Sequence, residues 1–166
     1  MPTGKSPLEG WNGISYAFYR SVMSRLDDAD VPYLVGGAYA LAYYTDIDRN
    51  TKDFDIFLRR EDIERALAAL ESGDCRTELT FPHWLGKAIC GDDFVDIIFS
   101  SGNAVAAVDE DWFRYAPVTE VLGRRVRLSP AEEMIWSKAF IMERERYDGA
   151  DVMHIVLRRG TSLDWP

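Results

Sequence analysis

Cysteine is almost absent: Cys75 and Cys90 are the two in 166 residues. Two cysteines make no disulfide framework and no zinc-ligand spacing, so the fold is expected to stand on an apolar core. No run of about 18 consecutive apolar residues occurs, which removes a membrane-spanning helix from the expected elements. The opening segment, MPTGKSPLEGWNG, has no signal-peptide apolar stretch, and the chain reads as cytoplasmic. Positive charge is in deficit, with 19 Lys and Arg against 28 Asp and Glu and a net charge of −9. Long nucleic acid is attracted by clustered Lys and Arg, so it is an unpromising partner. A small phosphate-bearing ligand remains compatible, because a bound metal ion inverts the local field. Internal repeats and low-complexity segments are also lacking.

What is present is an ordinary globular composition, 47% hydrophobic and 28% charged. The length favours a single compact domain, with a core over residues 1–128 and a helical extension over 129–166 packed on it. Helical spacing places Ile14, Phe18, Val22 and Leu26 on one face of a helix over 13–27. A short apolar strand follows at 31–35, opened by Pro32 and broken by Gly36-Gly37, and a helix resumes over 38–44. A strand is expected at 54–58, a helix at 61–70, then strands at 76–81, 84–90 and 94–99. Gly91-Asp92-Asp93 turns the last two into a hairpin, and Gly123-Arg124 centres a shorter hairpin. Ser129-Pro130-Ala131-Glu132 reads as a capping box opening a helix to about residue 145. Asp148 caps a final helix that Gly160 stops near residue 159. This order predicts an α/β (α+β) fold: a mixed sheet with helices packed on it and a C-terminal helical pair.

Carboxylates carry the chemistry. Asp53 and Asp55 lie two apart in Lys52-Asp53-Phe54-Asp55-Ile56-Phe57-Leu58. Strand parity sends both to one face and Phe54, Ile56 and Leu58 to the other. Two like charges so close repel unless a cation lies between them or one is protonated, and Mg²⁺ suits one or two carboxylates plus substrate phosphates. Asp96 is a lone charge inside Phe94-Val95-Asp96-Ile97-Ile98-Phe99. Burying it is expensive unless it is paired or metal-bound, so it is expected to act as a general base or complete the coordination. Gly36-Gly37, between a strand and a helix, permits close backbone approach, and the helix start behind it offers amides to a phosphate.

Leu34-Val35-Gly36-Gly37-Ala38, Arg49-Asn50-Thr51-Lys52-Asp53-Phe54-Asp55-Ile56 and Val95-Asp96-Ile97-Ile98-Phe99 occur in that order. Together they resemble the polymerase-β-type nucleotidyltransferase superfamily. The form is most similar to small bacterial members, among them antibiotic nucleotidyltransferases and abortive-infection toxin-type nucleotidyltransferases. The resemblance covers roughly residues 31–99. It implies that the glycine pair holds a nucleoside triphosphate. It also implies that Asp53 and Asp55 bind the metals, Mg²⁺ or Mn²⁺, and that Asp96 completes a catalytic and metal-binding trio. Many members carry Gly-Ser where this chain has Gly36-Gly37, so Thr51 or backbone amides would supply the missing phosphate contact. The tRNA-end-adding enzymes use Gly-Gly with a following arginine and a large helical tail. This chain has neither, which with its acidity argues against a tRNA substrate.

Several cations are placed to meet phosphate. Lys138 falls in the apolar arc of its helix, among Met134, Ile135, Ile141 and Met142, where it must snorkel or find an anion. The resemblance also places a helix lysine near the triphosphate. Arg49 and Lys52 flank the aspartate pair. Lys87 lies opposite Asp96 if the intervening turn is tight, in which case a cross-strand salt bridge is expected. Asp148 and Asp151 read as helix-capping residues, His83 and His154 as structural. The expected activity is Mg²⁺-dependent transfer of a nucleotide from a nucleoside triphosphate to a hydroxyl on a small molecule or protein. The alternative is a nucleotide-binding regulatory module, such as half of a toxin–antitoxin pair, with a partner protein.

Overall fold

Alternation of buried and half-exposed residues sets the two faces of the central strands. Phe54, Ile56 and Leu58 are fully buried, as are Val95 and Ile97, while Asp55, Phe57, Asp96 and Ile98 between them are partly open. The computed structural model describes residues 13–49, 51–71, 75–140, 142 and 147–165.

Helix α1 (Gly13–Asp28) is followed by β1 (Leu34–Val35), α2 (Gly37–Thr45) and β2 (Phe54–Phe57). A 3₁₀ turn (Arg60–Asp62) leads into α3 (Ile63–Leu70), then β3 (Cys75–Phe81), β4 (Leu85–Cys90) and β5 (Asp93–Ile98). The short helix α4 (Glu110–Arg114), the hairpin β6 (Val118–Val121) and β7 (Arg124–Arg127), and helices α5 (Ala131–Phe140) and α6 (Gly149–Arg159) complete the order. The main sheet runs β1-β2-β5-β4-β3, with β2 and β5 parallel and the other neighbours antiparallel. β6 and β7 form a separate ribbon, tied to the sheet through a bridge from Leu128 to Val35. This is the mixed sheet with packed helices that the element pattern predicts. Helix α6 packs on α2 and α5. No helix among the described residues is long and apolar enough to cross a membrane.

Five local readings change. The buried face of α1 is Tyr19, Val22, Met23 and Leu26, with Phe18 only half-buried. The face turns because Tyr19 stacks on Phe54, ring centroids 4.7 Å apart. The capping box at Ser129 does not form: its hydroxyl has no hydrogen-bond partner among the described residues, and its N–H donates to the Val35 carbonyl. Glu132 instead accepts from the Asp164 N–H at 3.0 Å. Asp148 holds the N-cap position of α6 without a side-chain cap bond. Helix α4 was not expected, because five residues are too few to show a helical period. Finally, the β3–β4 register sets Cys75 opposite Cys90, Cα atoms 4.4 Å apart, and joins them as a disulfide. Two cysteines were expected to make no disulfide framework, and this single bridge forms because strand pairing, not cysteine spacing, brings them together. Of the helix expected to reach residue 145, residues 141 and 143–146 lie outside the described ones.

Candidate active site

Parallel pairing of β2 with β5 sets Asp55 directly beside Asp96. Adjacent strands lie about 4.8 Å apart, and side chains in register share a face, so the two carboxylates stand as neighbours. Asp53, two residues before Asp55 and one residue ahead of β2, is exposed. The glycine turn presses against this face. The Gly36 N–H donates to the Asp55 carbonyl at 2.9 Å. Gly37 has a φ of 54°, and a Cβ there would overlap Asp55 Oδ2. A Cβ on Gly36 would run into the Phe57 ring. Both glycines are therefore needed for close approach, Gly37 for its backbone angle as well. α2 begins at Gly37, so its first-turn amides start beside the Asp55 carboxylate.

Lys87 pairs with Asp96 in the β4–β5 register, its Nζ donating to Oδ1 at 2.6 Å. It also sits over the Phe94 ring, 4.6 Å from the centroid. The expected cross-strand bridge is present. Ahead of Asp53, Thr51 Oγ1 accepts from the Asp53 N–H at 3.0 Å. Lys52 is exposed, and its carbonyl accepts from the Tyr19 hydroxyl at 2.6 Å. Tyr19 thus fixes the approach to the aspartate pair. Burial, reinforced by the charges of Asp93, Asp53 and Asp55, pushes its phenol up to about 12.

Asp151 overturns its reading as a capping residue. It is buried, accepts from Lys138 Nζ at 2.9 Å and pairs with Arg49 at 2.5 Å. Burial alone would raise its pKa, but the hydrogen bonds and charges of Lys138 and Arg49 outweigh it and hold the carboxyl below its ordinary value. Asp148 Oδ2 lies 3.8 Å from the same lysine. The anion that Lys138 needs in its apolar setting is therefore intramolecular.

Two cavities flank this network. One, of about 500 Å³, is lined by Gly37, Asp55, Asp96 and Lys138 together with Phe57, Trp84 and Trp112. The other, of about 440 Å³, is lined by Tyr39, Tyr43, Arg49, Thr51 and the tip of the β6–β7 ribbon. Gly37, Asp55, Asp96 and Lys138 thus meet in one cavity, and Arg49 and Thr51 line the other. Gly36, Lys52, Asp53 and Lys87 line neither.

No protein-family model and no curated protein matches the sequence. Solved structures do match in fold. The antibiotic-resistance factor ANT(2'')-Ia superposes with a TM-score of 0.65 at 17% identity, over 91% of this chain and 85% of that one. The lincosamide antibiotic adenylyltransferase LnuA, bound to lincomycin, gives 0.57 at 15% identity, over 84% and 94%. A candidate nucleotidyltransferase from Thermotoga maritima gives 0.56 at 17%, over 92% and 98%. The chain has the nucleotidyltransferase fold.

Among the described residues, no three Asp, Glu, His or Cys side chains form a ready-made metal cluster. On a nucleotidyltransferase fold this is no misfit. Mg²⁺ is commonly held by one or two carboxylates, with waters and substrate phosphates filling its other positions. Oxygen donors at Asp53, Asp55 and Asp96 match a hard divalent cation. The glycine turn keeps the space beside Asp55 Oδ2 free of a Cβ. The sequence pattern alone did not reveal the roles of Asp151 and Tyr19. Trp112, carried by α4, stacks on Phe57 with centroids 5.3 Å apart and backs the larger cavity. The only sequence signal for Asp151 was an acid one turn into a helix, which a surface cap shares.

Proposed function

We propose that this protein transfers a nucleoside monophosphate from a nucleoside triphosphate to a hydroxyl acceptor, using Mg²⁺ or Mn²⁺. The observation that carries the reading is the in-register placement of Asp55 beside Asp96, with Gly37 packed against the first of them. The triphosphate lies along the start of α2, where unpaired helix amides favour anions. The exposed Lys52 supplies positive charge near it, and Lys138 and Arg49, already paired with Asp151, offer the N–H donors their carboxylate partner leaves over. Asp53 and Asp55 hold the cation, with Asp96 close enough to share it. When bound, the divalent ion neutralises phosphate charge and orders the phosphates for in-line attack.

The acceptor oxygen attacks the α-phosphorus, the bond from that phosphorus to the bridging oxygen breaks, and pyrophosphate leaves with the electron pair. Asp96 takes the hydroxyl proton. Lys87 holds Oδ1, so Oδ2 is the atom turned to that task.

Thermal denaturation with each nucleoside triphosphate, with and without Mg²⁺, tests the reading. Ligand at about 100 times its dissociation constant adds roughly 2.7 kcal/mol. Absence of any shift with every nucleotide rejects it. Incubation with α-labelled nucleotide and a cell extract then reads transfer. Stabilisation without label transfer identifies a regulatory nucleotide binder instead. Transfer that survives the Asp53→Ala, Asp55→Ala double substitution places the site elsewhere.

A further inference from the structure

The larger cavity has a composition that discriminates among acceptors. It reaches both Asp55 and Asp96 and meets the phosphate side only at Gly37 and Lys138, while Arg49 and Thr51 line the other cavity. Among the described residues, the larger cavity's ionisable lining is Asp55, Asp96, His83 and Lys138. Each of the last three already has a partner: Lys87 for Asp96, the Gly102 carbonyl for His83, and Asp151 for Lys138. Asp55 belongs to the metal-binding pair of the proposed reaction. Among the described residues, no surplus acidic group is left in the lining to hold a polycation, although the whole chain carries a net charge of −9. The rest of the wall is mostly aromatic and aliphatic, with Ser100, Ser101, Asn103 and Ser137 as its neutral polar side chains. Phe81 and Trp84 stack with centroids 5.5 Å apart and planes 12° off parallel, and Phe81 is 46% exposed at the rim.

One polar atom in this wall is unsatisfied. Ser100 is 6% exposed, and its hydroxyl has no hydrogen-bond partner among the described residues. It lies in the bend just beyond β5 and lines the same cavity as the candidate base Asp96. Its neighbour Ser101 is spent on the local turn, accepting from the Val105 and Ala106 N–H groups. A buried hydroxyl left without a partner costs free energy, which a ligand hydroxyl or ether oxygen would recover.

From these features we infer that the acceptor is a small, uncharged, amphipathic hydroxyl compound. Its apolar part lies on the Phe81–Trp84 wall, one polar group meets Ser100 Oγ, and the reacting hydroxyl points to Asp96. The concave volume of about 500 Å³ suits a small molecule rather than a folded protein surface. This inference rests on the transfer reading for its reaction, but not for its binding.

The test therefore reads binding without nucleotide. Phenyl β-D-glucoside, glucose and tobramycin are titrated calorimetrically into the full chain. Phenyl glucoside is expected to bind at least about tenfold more tightly than glucose, the ratio for 1.4 kcal/mol of aromatic contact. Tobramycin is expected neither to match its affinity nor to displace it. Trp84→Ala should weaken phenyl glucoside about tenfold, and Ser100→Ala, which removes one oxygen, about threefold or more. Adding a nucleoside triphosphate with Mg²⁺ should leave the glucoside bound. Equal binding of glucose, tighter binding of tobramycin, no binding of the glucoside, or indifference to both substitutions overturns the inference. Displacement by the nucleotide overturns it too, by assigning the cavity to the nucleobase. Failure of nucleotide-dependent stabilisation, measured separately, rejects the transfer reading and leaves these binding results standing.

Discussion

Lys87 faces Asp96 across β4 and β5, with Nζ 2.6 Å from Oδ1. The pair places a cation on one oxygen of the candidate base. In the proposed reaction Lys87 is a positioning residue: it fixes the rotamer of Asp96. Lys87→Ala should lower kcat about tenfold while changing the nucleotide KM less than about threefold, the pattern of an interaction that matters mainly in the transition state. Lys87→Arg, which keeps a donor, should recover part of the loss. Steady-state kinetics of the three proteins decides it, and equal effects on KM and kcat would assign Lys87 to substrate binding.

Asp151 joins Lys138 to Arg49 from a buried position. Removing one partner of a buried ion pair costs about 3–5 kcal/mol, and the half-exposed Arg49 points to the lower end for Asp151→Asn. The pH dependence follows from the depressed pKa of this carboxyl. A folded pKa below the unfolded value gives stability that is complete above the unfolded value, about 3.9. It is lost as pH falls through the folded one. Denaturant midpoints of wild type and Asp151→Asn should be furthest apart near neutrality and converge in strong acid. A gap independent of pH would show that the variant acts through packing alone.

Gly37 combines a φ of 54° with contact on Asp55. Gly37→Ala should cost about 1–2 kcal/mol from the left-handed backbone alone. Displacement of the Asp55 carboxylate should also abolish the nucleotide-dependent rise in melting temperature. Melting curves with and without nucleotide separate the two effects.

Tyr19 stacks on Phe54 and donates to the Lys52 carbonyl. Tyr19→Phe keeps the ring and removes the hydroxyl, so stability should fall by about 1 kcal/mol. Tyr19→Ala also removes the stacked ring and should cost about 3–5 kcal/mol. Equal losses in chemical denaturation would mean that the hydroxyl, not the ring, fixes the approach to Asp53.

What the sequence determined by itself is what a backbone period dictates locally. Alternation along residues 53–58 predicted Asp53 and Asp55 on one face and an apolar set on the other, and within β2 the half-open Asp55 does alternate with buried Phe54 and Ile56. Gly36-Gly37 marked the strand-to-helix turn, and the short turn after Cys90 set Lys87 against Asp96. Tertiary structure decided everything that depends on which distant segments meet. β2 and β5 are parallel neighbours only because α3 and the β3–β4 hairpin return the chain across the sheet, and that crossover is what sets Asp55 beside Asp96. Asp151 shares with a surface cap the same letter at the same helical position. Only the packing of α6 against α2 and α5 buries it between Lys138 and Arg49. Ser129 failed as a cap for a related reason, since the bridge from Leu128 to Val35 draws its backbone into the sheet. Local periodicity acts through neighbouring dihedrals and is written in the sequence. Register and burial are settled by contacts between segments far apart in the chain, where many pairings satisfy the same local pattern.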